Sequence, residues 1–232
     1  MSITREVTDD VAVLTMDDGR VNAFDLDFFA ALDEHLDACA EDSAIVLAGR
    51  DGMFSAGLNT KVMAGLDLDG MTELLAVFAS TMLRVWLEPR PVVVAATGHA
   101  VAGGTILAMC ADHAVAADGD YRWGLTETTI GFAMPQWILA IARGNVSPSR
   151  LDDLILPGAT VGPAEAVAVG FADALAPPGR VREVALARAR ELAALPRGTY
   201  AATKWRLRGP AADAVRPGLP EDLRHAMSTS AD

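Results

Sequence analysis

Cysteine is scarce in this chain of 232 residues: only Cys39 and Cys110 occur, both in apolar helical context. Two such residues without metal-ligand spacing provide neither a disulfide framework nor a metal site. Both read as buried free thiols, which points to the reducing cytoplasm. Positive charge is also in short supply, with 19 Lys and Arg against 31 Asp and Glu, a formal net charge of −12. That balance argues against nucleic acid as a partner. An anionic ligand would have to be held by a local basic patch and main-chain donors. Although 51% of residues are apolar, no run approaches the ~18–20 residues of a membrane span. The opening MSITREVTDD is too polar for a signal peptide. There is no internal repeat, and no Gly-Lys-Ser/Thr follows a glycine pair, so the phosphate loop is excluded.

What remains is an alternation of short apolar runs and amphipathic stretches, long enough for one large α/β domain or a domain with an appendage. Ile3–Thr8 and Val11–Met16, joined at Asp9-Asp10, read as an antiparallel hairpin that ends at Asp17-Asp18-Gly19. Phe28, Phe29, Leu32 and Leu36 recur at helical spacing over Asp25–Ala40, with His35 as a boundary surface residue. Ala44–Ala48 is a buried-strand candidate followed by a glycine loop, Met53–Lys61. A second amphipathic helix covers 71–87, and Ala114–Ala117 gives a further strand. Strands alternating with helices imply parallel crossovers and a sheet buried on both faces.

Thr97–Ala111 is the centre of this pattern. Pro91–Ala96 reads as a buried strand, Gly103-Gly104 as a hinge, and the following residues as an apolar helix. The first N–H groups of such a helix lack intrahelical acceptors and carry partial positive charge. The hinge reads either as an oxyanion-binding turn or as a tightly packed connection. Both glycine loops fall at carboxyl ends of strands, where open α/β sheets bind ligands. Farther on, Glu127 is the one carboxylate in Tyr121–Pro135, among Leu125, Ile130, Phe132 and Met134. It is a candidate for a raised pKa and base chemistry, or an exposed glutamate at a helix start after Thr126. Helices then run over 137–195, most clearly Ala164–Val169 and Val181–Ala194. After Pro196, Pro210, Pro217 and Pro220 divide short helical pieces. Lys204, Arg206 and Arg208 form a basic cluster that reads as a solvated face or as an anion or subunit contact.

Four motifs in order resemble the crotonase (enoyl-CoA hydratase/isomerase) superfamily: Asn22-Ala23-Phe24, FSAGLNTKV at 54–62, GHAVAGGTILAMCAD at 98–112 and WGLTETTIGFAMP at 123–135. The last is most similar to monofunctional Δ3,Δ2-enoyl-CoA isomerases. The resemblance implies an α/β fold, a crotonase-like spiral of ββα units over 1–195. It also implies a helical C-terminal segment over 196–232, used in trimer formation or in closing the site, and a homotrimer or dimer of trimers. The substrate would be an acyl-CoA thioester, with no separate cofactor and no metal. By position, the oxyanion-hole N–H groups map to Leu58, after Ser55-Ala56-Gly57, and to Gly103, followed by Gly104. Ala23, Thr60, Lys61 and Thr126 fall in the same substrate-binding stretches. Lys61, Arg20, Lys204 and Arg206 are candidates for CoA phosphate contact. Met63, Trp123, Phe132 and Trp137 are candidates for setting pocket depth.

Two departures matter. Ile106 stands where two-glutamate hydratases carry their first catalytic acid, while Glu127 matches the second. One base suits a double-bond shift better than hydration, and an isoleucine there would exclude water from the carbon chain. Asn59 replaces the usual Asp after the oxyanion-loop residue. The expectation is therefore a 3-enoyl to 2-enoyl-CoA isomerase. A one-carboxylate hydratase or another crotonase reaction, with a second group from His99 or the acidic Asp67–Glu73 stretch, and a non-catalytic acyl-CoA binder remain the alternatives.

Overall fold

A computed structural model describes residues 2–228. The chain begins with β1 (Ser2–Thr8) and β2 (Val11–Asp17), paired antiparallel about a tight turn in which Asp9 and Asp10 both take positive φ. That is the hairpin turn matched to strand twist. After β3 (Ala23–Phe24) comes α1 (Leu26–Ala38), capped by Asp25, whose carboxylate accepts from the Phe28 N–H. Next are β4 (Ala44–Ala48), β5 (Gly52–Ser55), β6 (Gly57–Leu58), α2 (Thr60–Met63) and α3 (Leu68–Trp86). The glycine loop expected over Met53–Lys61 is thus two short strands and a helical turn.

The central stretch differs in the same way. β7 (Val92–Ala96) does not turn straight into its helix; β8 (Gly98–Val101) intervenes before α4 (Gly103–Cys110). Gly98 makes this possible, because a Cβ there would lie 1.9 Å from the Gly52 carbonyl carbon. β9 (His113–Ala117), β10 (Trp123–Gly124) and a 3-10 turn at Glu127–Ile130 follow. The chain then runs through α5 (Gln136–Asn145), α6 (Leu151–Ile155), α7 (Pro163–Val169), β11 (Ala174–Ala176) and α8 (Val181–Ala193). It ends in α9 (Arg197–Val215) and α10 (Leu219–Ser228).

The six-stranded sheet has the order β1-β2-β4-β7-β9-β11 and is parallel beyond the first hairpin. The short strands make a second layer, β10-β8-β5 and β3-β6, also parallel. Each winding lays one strand in each layer and then a helix, giving the expected spiral of ββα units. β4 and β7 are buried along their whole length, as a sheet covered on both faces requires. One face packs on the large core that includes α1, α3, α4 and α5. The other packs on α8 through Val181, Ala185 and Ala189.

β11 is a strand the sequence pattern did not announce, since its three residues lie in an alanine-rich run between helices. The C-terminal region also differs from expectation. α9 is continuous through Pro210, giving up one backbone hydrogen bond. Lys204 and Arg208 turn inward onto the chain's own groups rather than forming a solvated face. Buried Lys204 donates to the Glu88 and Arg90 carbonyls and pairs with Asp112. Arg208 donates to the carbonyls of Trp86, Cys110 and Ala111, at the ends of α3 and α4, which gives both helix C-termini a cation. The polar tail of α9 is thereby bolted to the sheet end of the core. Cys39 and Cys110 are both buried free thiols. Among the described residues no helix is long and apolar enough to cross a membrane.

Candidate active site

The site is built where the short strands end. Asn22, held at φ +50°, donates its carboxamide to the carbonyls of Met16 (2.9 Å) and Phe54 (3.1 Å) and accepts from the Asp18 N–H (3.0 Å). This buried amide ties β2 to the end of β5. Ser55 Oγ donates to the Asn22 carbonyl (2.7 Å) and accepts from the Gly57 N–H (3.0 Å). Gly57 has φ +82°, and a Cβ on it would lie 2.6 Å from the Gly103 nitrogen. The β6 strand and the start of α4 therefore touch through bare backbone.

Two N–H groups emerge from this contact. Asn59 N–H donates to the Phe24 carbonyl across the β3–β6 ladder at 2.8 Å. Strand alternation then turns the preceding N–H, that of Leu58, away from β3. Gly103 opens α4, so its N–H has no intrahelical acceptor and stands at the positive end of the helix dipole. Ala102 fixes the direction of that peptide with φ +50° and ψ −122°. It donates to the Gly124 carbonyl at 2.8 Å, while its own carbonyl accepts from Ile106 N–H at 3.0 Å.

Leu58 and Gly103 both line a cavity of about 140 Å³, together with Ala56, Thr60, Ala102, Thr126 and Glu127. Its remaining walls are Met63, Leu75, Phe78, Ile130, Phe132 and Ile138. Among the described residues that line it, Glu127 alone is ionisable. Glu127 opens the 3-10 turn after β10, and its carbonyl accepts from Phe132 N–H at 3.0 Å. The side chain is 8% exposed and Oε2 has no hydrogen-bond partner. Burial pushes its pKa up to about 7, because the charged form loses water without gaining a counterion. Of the two readings of this residue, the helix-start position holds and the exposure does not.

Of the other expected site residues, Ser55, Gly57 and Gly104 support the backbone contact without lining the cavity. Ala23 sits in β3 opposite Gly57. Asn59 caps α2 by accepting from Val62 N–H at 3.3 Å, and Lys61 is exposed on that helix and does not line the cavity. Ile106 does not line the cavity: it is fully buried in the core. The water-excluding role expected of it is therefore not available to its side chain; the deep apolar walls are Leu75, Phe78 and Ile138. Trp123 and Trp137 are likewise core residues, whereas Met63 and Phe132 do form walls. His99 is used elsewhere, its Nδ1 accepting from Arg122 N–H at 3.0 Å. Asp67 caps α3 through the Gly70 N–H at 2.9 Å. Lys204 is committed to Asp112 and cannot serve a phosphate. Leu75 and Phe78 escaped the sequence reading because they share a helical stripe with ordinary core residues. Only their depth in the fold marks them.

Comparison with known proteins agrees with this arrangement. A family model described as enoyl-CoA hydratase/isomerase matches residues 6–231. A putative enoyl-CoA hydratase of Thermus thermophilus is 37% identical over 171 residues, covering 72% of this chain and 66% of that relative. The crystal structure of human mitochondrial Δ3-Δ2-enoyl-CoA isomerase superposes with a TM-score of 0.93 at 26% identity, covering 99% of this chain and 92% of that one. An enoyl-CoA isomerase of Mycobacterium tuberculosis superposes at 0.90 with 32% identity, covering 96% of this chain and 97% of that one. A second structure of the mycobacterial protein describes it as a probable enoyl-CoA hydratase, so these names do not separate the two reactions. With the family match running nearly end to end and the fold reproduced over almost the whole chain, the chain belongs to the enoyl-CoA hydratase/isomerase family of enzymes.

Proposed function

We propose that this enzyme moves the double bond of a 3-enoyl-CoA thioester to the 2-position, with Glu127 as its single base. The observation that carries this reading is a lone carboxylate, one oxygen of it without a partner, in a largely apolar cavity that Leu58 and Gly103 also line. In the proposed reaction, Glu127 takes a proton from C2 and the electron pair moves into the thioester. The oxygen that gains charge is held by the two main-chain donors, a contribution of ~2.7–4 kcal/mol for each such donor. The double bond then shifts from C3–C4 to C2–C3 as the same carboxyl returns the proton to C4. Atoms and electrons balance without a separate cofactor. A carboxylate with a pKa near 7 is well matched to this task, since it accepts and releases a proton with similar ease near neutral pH.

Hydration asks for more. A water must be held and activated on one side of the double bond while carbon is protonated on the other. The cavity brings one carboxylate, and the walls beside it are Leu75, Phe78, Phe132 and Ile138. The cavity's other polar side chains are those of Thr60 and Thr126, and among the described residues no second carboxylate lines it to activate a water.

The test is to incubate the protein with 3-enoyl-CoA and 2-enoyl-CoA in deuterated water and follow products by mass. Conjugated product from the 3-enoyl substrate, lost in Glu127→Gln, is expected. Hydroxyacyl-CoA formed from the 2-enoyl substrate at a comparable rate would overturn the single-base reading. Tight binding of acyl-CoA with turnover of neither substrate would replace it with a carrier role.

A further inference from the structure

Resting on the acyl-CoA reading above, we infer that Phe78 is the residue that limits acyl length, and that the cavity takes acyl groups of about four to six carbons. The geometry of the closed end carries the inference. Ala56 and Thr60 are exposed at the mouth, whereas Leu75, Phe78 and Ile138 are 2%, 3% and 1% exposed, which makes them the floor. The Phe78 ring reaches back to the oxyanion turn: its Cζ would lie 3.4 Å from a Cβ placed on Gly103. A chain whose carbonyl oxygen sits at Gly103 therefore meets this ring as it extends inward.

The ring cannot swing aside. It is stacked on Phe29 with centroids 5.5 Å apart and set edge-on to Trp137 at 5.0 Å. Phe29 in turn packs on Phe24 and Phe28, so moving Phe78 disturbs a continuous aromatic row in a close-packed core. The volume agrees with the stop. A dry cavity of about 150 Å³ holds a benzene molecule, and the 140 Å³ here has room for about the same number of carbons. A larger groove of about 410 Å³ adjoins it, sharing Met63, Ile130 and Phe132 and lined also by Leu66, Asp67, Leu68, Met71 and Met227.

The experiment uses saturated straight-chain acyl-CoA thioesters from C2 to C12, whose binding is measured by calorimetry and does not depend on turnover. Each methylene that enters the cavity should tighten binding about fourfold, so affinity is expected to climb from C2 to C6 and then level or fall. Phe78→Ala should move the break to C8 or beyond. Phe78→Leu, a milder change to the core, should move it by one or two carbons, with circular dichroism confirming that each variant is folded. Affinity that keeps rising to C12 in the unaltered protein would overturn the inference. So would an unchanged break in folded Phe78 variants. A break at C6 without isomerase activity would uphold the length limit and remove only the isomerase reading, whereas failure to bind any acyl-CoA would remove both.

Discussion

Glu127 and Lys204 are buried to nearly the same degree, 8% and 5% exposed, yet the protein treats the two charges in opposite ways. Lys204 is surrounded by acceptors: the Glu88 and Arg90 carbonyls and the Asp112 carboxylate, which Arg208 also contacts at 3.0 Å. Burial lowers the pKa of Lys204 and Asp112 opposes that shift. Glu127 has no counterion and an orphaned oxygen. A buried charge that holds structure together is saturated with partners, and breaking it leaves its neighbours stranded. A buried carboxyl left short of partners, as Glu127 is, keeps a proton as its best available ligand, which suits the base role proposed for it.

The largest expected effect falls on the unsaturated side of this pair. Glu127→Gln should lower the isomerisation rate by roughly 10²–10⁴-fold, the usual share of a positioned general base, measured as initial rate on a 3-enoyl-CoA. A loss of less than tenfold would place the proton transfer elsewhere. On the saturated side, Lys204→Met leaves Asp112 with Arg208 as its remaining cation and frees the Glu88 and Arg90 carbonyls. Its unfolding free energy should drop by about 1–3 kcal/mol, read from denaturant titration, with the activity per folded molecule retained. A near-neutral result would mean that the pair is not the bolt described above.

The same contrast predicts opposite signs for stability. Because the folded pKa of Glu127 is about 7 against an ordinary 4.5, the unfolded chain ionises first as pH rises. Its contribution to stability is therefore full below about pH 4.5, declines up to pH 7 and is flat above. Glu127→Gln should thus be more stable than the parent at pH 8 by about 3 kcal/mol, and equal to it near pH 4. The parent enzyme's kcat/KM should rise with pH through about 7 as the base becomes ionised. A stability gap independent of pH would break this account. The smallest effect belongs to a residue outside both clusters. Asp25→Ala removes the α1 cap bond of 2.9 Å and should cost about 1 kcal/mol with kcat unchanged.

Much of this was legible in the sequence, for reasons that differ from residue to residue. Ala44–Ala48 and the Val92–Ala96 strand read correctly because β-branched and small apolar runs leave a fully buried strand few alternatives. Gly103 and Leu58 were placed by motif position, and the backbone contact at Gly57 shows why those positions matter. Motif position puts Ile106 in the pocket, and Trp123 and Trp137 read as candidates for setting its depth, but helix rotation and strand direction turn all three into the core. Lys204 and Arg208 read as a basic patch because their partners are carbonyls and an aspartate about ninety to one hundred and twenty positions upstream. No local pattern records such contacts. β5, β8 and β10 were hidden because strands of two to four residues carry too few side chains to show a period.

Gly98 limits how this chain can diverge. A Cβ there meets the Gly52 carbonyl carbon at 1.9 Å and its oxygen at 2.1 Å, atoms of main chain that no rotamer change can move. The β5 and β8 strands of the second layer are therefore welded at a point where selection has a single allowed letter. Gly131 has open space around it and is held only by its φ of +75°, a milder constraint. In a library of variants selected only for folding, the crossing at Gly98 should stay invariant while the lip of the cavity drifts. Loops around the mouth are then free to explore new substrates on a frame that cannot follow them.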